Sequence, residues 1–157
     1  MANENNARAA REVYDTLCNT LDSMEWHFSR DDEKLRVAFG VSGDDIPMQF
    51  VIAIDVDRQL VRLISFLPFQ FTDDRRVDGS IATNQINYTL AEGCFDFNLA
   101  DGQVIFRITT SFRESLVGDE MLRHMISVAC FTVDRYNDKL KALCDGDITI
   151  KDFLEEM

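Results

Sequence analysis

The segment from residue 107 to residue 114 holds the side chains best suited to recognise an anion. Arg107 and Arg113 flank a run that contains three hydroxyl residues. Guanidinium groups bind carboxylates and phosphates through paired, charge-assisted hydrogen bonds. The chain also contains 28 Asp and Glu against 16 Lys and Arg, so internal carboxylates are plentiful. Two interpretations therefore stay open, internal ion pairs or a ligand-binding site at Arg107 and Arg113.

A second feature is an aromatic corner, which we define as Phe66, Phe69 and Phe71 around Pro68. Phenylalanine is usually buried, so one interpretation is a core-filling bend between a strand and a helix. The alternative is an exposed apolar groove into which a segment of a partner protein docks.

The helix predicted after this corner has an amide-rich surface. Its stripe of Val77, Ile81, Gln85 and Tyr88 is thin, and Asn84 and Asn87 lie beside it. A helix this polar either lies shallowly on a sheet or presents a functional face. We therefore add Asn84, Asn87 and Tyr88 to the candidate partner contacts.

Cysteine and histidine show no pattern of a metal or nucleophile site. The four cysteines are widely spaced without C-x-x-C, and there are only two histidines. Zinc ligands recur at short, fixed spacings, which are absent. The cysteines are Cys18, Cys94, Cys130 and Cys144, and we expect them to be reduced. No metal and no cofactor is expected.

The acidic residues form short runs at predicted turns and helix starts, where Asp makes local hydrogen bonds. The segment 145–156 has the length of an EF-hand loop, but Ile150 occupies the position that needs glycine. Phosphate loops, dinucleotide fingerprints and the G-x-S-x-G elbow are missing as well. The sequence therefore favours a non-enzymatic protein with no catalytic residues.

The formal charge of −12 argues against two classes of partner. Nucleic acid phosphates and anionic membrane surfaces both attract Lys and Arg, so neither is expected to bind. No apolar run approaches the roughly 20 residues of a membrane span, and the first residues lack the pattern of a secretory signal. We expect a cytoplasmic protein.

Periodicity predicts an α+β fold with an antiparallel sheet, because consecutive strands are joined by loops too short for parallel crossovers. Helical spacing marks three segments and alternation marks the strands between them. Trp26 and Phe28 suggest a further short strand, Pro68 should end a strand or lie at an edge, and Asp101-Gly102 predicts a two-residue hairpin turn. The predicted elements are helices at 5–24, 73–90 and 118–144, and strands at 35–41, 48–56, 60–67 and in a hairpin on either side of 101–102.

Residues 81–114 carry a distinctive run of amides, aromatics and glycines. Its core is Asn84, Asn87-Tyr88, Gly93, Phe95-Asp96, Asn98, Asp101-Gly102 and Phe106-Arg107. This run, with 128–134, resembles the YbjN-type domain family of bacteria. The resemblance implies a sensory transduction regulator whose fold is similar to type III secretion chaperones, which are small, acidic, often dimeric proteins that bind extended partner segments. It implies an antiparallel twisted sheet flanked by about three helices, in the order α-β-β-β(-β)-α-β-β-α.

Residues and resemblance together predict one YbjN-like α+β domain over 1–157. We expect a bacterial cytoplasmic protein-binding module, a regulator or chaperone-like protein that can form a homodimer. The partner would be a protein. The expected contact residues are Phe66, Phe69, Phe71, Asn84, Asn87 and Tyr88. The alternative is a small-molecule-binding sensor that uses Arg107 and Arg113.

Overall fold

In residues 3–157, which the computed structural model describes, six strands form one antiparallel sheet accompanied by four α-helices. The predicted α+β class with an antiparallel sheet is therefore confirmed. The elements are α1 Glu4–Ser23, β1 Ser29–Asp31, β2 Arg36–Val41, β3 Met48–Asp55, β4 Leu60–Gln70, a 3-10 turn Asp73–Arg75, α2 Arg76–Thr89, β5 Cys94–Phe97, β6 Gln103–Ser111, α3 Asp119–Asp145 and α4 Ile150–Glu155. The strand order in the sheet is β1-β2-β3-β4-β6-β5.

One face of the sheet carries the core. Alternate residues along the strands are buried, as the period of two requires when a sheet packs on one side only. On β3, for example, Phe50, Ile52 and Ile54 are buried, and they join one cluster with apolar residues of α1 and α3. The helices therefore cover this face of the sheet.

Local chemistry sets where the helices begin and end. The side chain of Asn3 accepts the N–H of Asn6 at 2.8 Å and caps α1. Helix α3 ends at Gly146, whose left-handed φ of 81° fits a residue without Cβ. Thr149 and Asp152 form a capping box that starts the short helix α4.

Two local predictions are wrong. The first short strand lies at Ser29–Asp31 rather than at Trp26 and Phe28. Trp26 packs edge-to-face on the Phe39 ring with 5.4 Å between ring centroids, so it serves the core without pairing.

The β5–β6 hairpin is closed by the five residues 98–102, not by a two-residue turn. A two-residue turn would need a positive φ at two residues, but within this loop only Gly102 has one, 78°. The wider loop forms because Asn98 and Asp101 accept the backbone N–H groups of Ala100 and Gln103.

Pro68 does not end β4. The strand continues to Gln70, but its pairing with β3 stops at Ser65, opposite Phe50. The register with β6 shifts between Phe66 and Gln70. Pro68 therefore occupies a local edge, the second of the two predicted places, where its missing N–H costs no ladder bond on the β3 side.

Candidate protein-binding surface

The face of the sheet opposite the helices, which we call the open face, carries an apolar row. The strand register aligns Ala38, Val51, Ile64, Arg107 and Cys94 across five strands. None of these residues is buried, although they lie in the middle of the sheet. A partly exposed, largely apolar surface of this kind is a candidate interaction site.

The next row of the open face contains Phe66, paired with Ile105, which is paired with Asp96. Phe66 is 55% exposed, an unusual state for this residue type. Together the two rows extend the apolar area from β2 to β6.

The open face is electrically balanced. The three carboxylates on its strands are matched by three guanidinium groups, whereas the whole chain carries −12. The charged residues are Asp31, Asp55, Asp96, Arg36, Arg62 and Arg107. The acidic excess therefore lies on other surfaces, and the open face suits apolar or neutral groups.

The aromatic corner is divided between surface and core. Phe69 is half-buried, and Phe71 is only 1% exposed, with its ring 5.3 Å from that of Phe97. Phe69 and Phe71 lie three and five positions after Phe66, and odd offsets along an extended chain place side chains on the opposite face. The expectation that all three phenylalanines lie on one exposed surface is corrected, because only Phe66 is largely exposed.

The amide face is divided as well. Asn84 is exposed, and Tyr88 is 86% exposed. The Asn87 amide instead donates to the carbonyl of Phe95 and accepts its N–H, both at 2.8 Å. Phe95 belongs to β5, the edge strand, so the Asn87 side chain takes the place of a neighbouring strand there.

Helix α2 is rotated relative to the sequence prediction. Val77 and Ile81, two residues of the stripe read from the sequence, are 65% and 43% exposed, so this stripe does not face the sheet. The buried positions are Gly79, Ala82, Thr83 and Ile86, whose spacing also follows a helical face. Small residues are needed there because a Cβ on Gly79 would lie 2.4 Å from the Phe97 ring.

The two candidate anion-binding arginines do not form one site. The Arg107 Nε donates to Asp96 Oδ2 at 2.7 Å and its Nη2 to Oδ1 at 3.2 Å. This bidentate pair raises the pKa of Arg107. Arg113 is exposed, has no ion-pair partner within residues 3–157, and borders a different hollow from the one beside Arg107.

A family model described as "Putative bacterial sensory transduction regulator", the YbjN model, matches residues 14–142. The chain belongs to the YbjN family. No curated protein sequence matches this YbjN-family chain significantly.

Solved structures share the fold. "YbjN, a putative transcription regulator from E. coli" superposes with a TM-score of 0.59 at 12% identity, covering 82% of this chain and 89% of that one. A chain of the ExsC–ExsE complex gives 0.54 at 10%, covering 82% and 93%. A chain of the HopA1–SchA chaperone–effector complex superposes less well, with a TM-score of 0.49 at 16% identity, covering 77% and 88%.

The run of residues that resembles the YbjN family is largely architectural. Asn87 closes the sheet edge, and Asp96 pairs with Arg107. Gly93 has φ +74°, and a Cβ there would lie 2.4 Å from the Phe106 ring. A Cβ on Gly102 would lie 2.0 Å from the carbonyl oxygen of Phe71. This family signature therefore specifies the junction of α2, β5 and β6.

The thiols of the YbjN-family chain show no sign of activation. The four cysteines are free, and burial raises the pKa of each. For Cys130 the pKa rises to about 11. No three metal-binding side chains cluster within the described residues, and none of the helices at 4–155 is both long and apolar enough to cross a membrane.

Proposed function

We propose that this YbjN-family chain is a non-enzymatic protein-binding module of the bacterial cytoplasm, acting as a regulator or chaperone-like protein. The observation that carries the proposal is the open face, where Phe66 is exposed and Ile64 and Ile105 are only half-buried at the centre of a folded sheet. The family description and the fold shared with a chain of the ExsC–ExsE complex support this proposal. We also propose that residues 1–157 form a single domain.

The partner contacts that we propose are graded by exposure. Phe66 is the centre, and Phe69 is a lesser contact because it is half-buried against the core. Asn84 and Tyr88 offer a polar and aromatic area on α2, a separate element. Phe71 and Asn87 support the proposed surface without touching the partner, because Phe71 packs in the core and Asn87 forms hydrogen bonds with β5.

The expected occupant of the open face is an extended, largely uncharged segment. Successive rows of the face are two residues apart along each strand, about 6.6 Å, which is also the spacing of side chains on one side of an extended segment. An extended segment that lies along the strands can therefore meet successive rows. The face is balanced in charge, so it neither steers nor repels such a segment strongly.

Pull-down from the native lysate with wild-type and Phe66→Asp protein tests the proposal. Leu116→Asp is the matched control, because Leu116 is 61% exposed but lies in the loop before α3. We expect Phe66→Asp to lose a protein that wild-type and Leu116→Asp both recover. Recovery of the same proteins by Phe66→Asp would remove the open face as the interface.

A homodimer is the second part of the proposal. Val77, Ile81 and Tyr88 form an exposed stripe on α2, and a two-fold axis would let this stripe pair with itself. We expect light scattering at micromolar concentration to give twice the single-chain mass for wild-type and the single-chain mass for Ile81→Asp. A single-chain mass for wild-type contradicts the dimer.

A small-molecule sensor is the alternative function. Its support is the hollow between Arg107, Glu92 and Met121, which lies beside the Arg107–Asp96 ion pair. An anionic ligand there could bind the Arg107 guanidinium alongside Asp96. Melting temperatures measured against a metabolite library test this, because a ligand that binds the native state raises stability. A ligand whose effect persists in Arg107→Gln does not use this site.

A further inference from the structure

A hollow lies among the helices, and none of the residues that border it belongs to the open face. It is bordered by the end of α2, the middle of α3 and the end of α4, and its volume is about 230 Å³. Phe131, Arg135 and Lys139 border it from α3, at steps of four residues that place them in one row along the helix. Phe131 is 67% exposed, so the row begins with an open aromatic surface.

The two cations of this row are free. Within residues 3–157, neither Arg135 nor Lys139 has a carboxylate within 4.0 Å, although the chain has 28 acidic residues against 16 basic ones. Most of the other basic side chains form ion pairs. Among the side chains that border the hollow, two are cations and one, Glu156, is a carboxylate.

The guanidinium of Arg135 is also held in place. Its central carbon lies 5.4 Å from the centre of the Tyr136 ring. That ring is 6% exposed and packs edge-to-face on Phe95, so it cannot readily move away. A cation positioned in advance loses less conformational entropy when it binds an anion.

The size of the hollow indicates what it can take. Pockets that enclose a whole drug-sized ligand measure roughly 300–1,000 Å³, and this one is smaller and open. It can accept one or two side chains of a protein segment. The Phe131 ring and Leu90 offer apolar contact, while Arg135 and Lys139 offer two cations.

We propose that this hollow binds a segment of another protein in which a carboxylate side chain lies next to an apolar one. Charge complementarity selects the occupant, because an acidic segment meets two free cations here and acidic excess elsewhere. The site goes beyond the proposed open-face interface and uses none of its residues.

Two synthetic hexapeptides test the site, one alternating aspartate with leucine and the other alternating asparagine with leucine. Both are titrated into the ¹⁵N-labelled full chain and followed by NMR. We expect the aspartate peptide to shift the amide signals of Thr89, Leu90 and Phe131, and to bind at least tenfold more tightly than the asparagine peptide. Equal binding of the two peptides overturns the proposal.

Arg135→Ala with Lys139→Ala should weaken binding of the aspartate peptide at least tenfold. The matched control is Arg8→Ala with Arg113→Ala, which removes two other cations without an ion pair and leaves the hollow intact. An equal loss in both double variants means that overall charge, not this site, binds the peptide.

Two further measurements separate this site from the open face and from a contact between two copies of the chain. Phe66→Asp should leave peptide binding unchanged, so failure of the open-face proposal and failure of this one are distinguishable. If the Arg135→Ala, Lys139→Ala variant instead converts a dimer into single chains, the occupant is a second copy of this chain and the proposal is overturned.

Discussion

Removing the Asn87 side chain should open the β5 edge of the sheet. In the folded protein its amide makes two hydrogen bonds of 2.8 Å to the N–H and C=O of Phe95. Asn87→Ala deletes both bonds, so the N–H and C=O groups of Phe95 lose their partners and must form hydrogen bonds with water instead. A hydrogen bond of this kind contributes about 1 kcal/mol net, so the two together should contribute about 2 kcal/mol.

Asn84→Ala is the matched control. Asn84 lies three residues earlier on the same helix, is exposed, and makes no side-chain hydrogen bond within residues 3–157. Alanine raises helix propensity at both positions by about 0.6 kcal/mol, and this gain cancels in the comparison. The difference between the two variants therefore isolates the Phe95 bonds.

Equilibrium urea unfolding gives the free energy of unfolding of both variants. We expect Asn87→Ala to be about 2 kcal/mol less stable than Asn84→Ala, which corresponds to a melting temperature roughly 4–8 °C lower. Hydrogen exchange of the Phe95 amide should also become faster in Asn87→Ala only. Equal stabilities within about 0.5 kcal/mol would refute the edge-closing role.

Three further predictions concern the core and its charges. Gly93→Ser should lower the free energy of unfolding in urea by about 2 kcal/mol or more, because Gly93 has a positive φ and lies against the Phe106 ring. Gly118→Ser is the control, since Gly118 has open space around it, and it should not destabilise the fold. Equal effects of the two variants would contradict the prediction. Asn137→Leu should raise the unfolding free energy by about 1 kcal/mol, because Asn137 is 1% exposed and its Oδ1 has no partner within the described residues; a loss would show that the amide is needed. Burial and a hydrogen bond to a carboxylate raise the pKa of Tyr14, so the stability that its neutral hydroxyl contributes is complete below about pH 10 and is lost as the pH rises through the folded-state pKa. Between pH 8 and pH 10.5, the free energy of unfolding in urea should therefore fall less for Tyr14→Phe than for wild-type. Equal falls would contradict the raised pKa of Tyr14.

Much of the fold was readable from short-range patterns. The alternation of Phe50, Ile52 and Ile54 identified a half-buried strand, and helical spacing identified α1 and α3, because these periods are fixed by backbone geometry. The YbjN resemblance predicted the family that the family model then confirmed. These features depend on residues close together in the chain.

The misjudged features depend on which elements meet in space. The sequence could not show which face of α2 is buried, because the need for a small residue at position 79 comes from the ring of Phe97, which lies on another element. It could not show the free cations of Arg135 and Lys139 either, since ion pairing depends on distant carboxylates.

The class of fold, the family and the acidic balance of the chain were all evident in the order of its residues. The packed structure was needed to show that Phe71 and Asn87 support the molecule from within while Phe66 and Tyr88 face outward. Composition and spacing fix how each segment folds. Exposure and pairing are set by the packing of one segment against another, as the helices cover one face of the sheet and Asn87 closes the edge of β5.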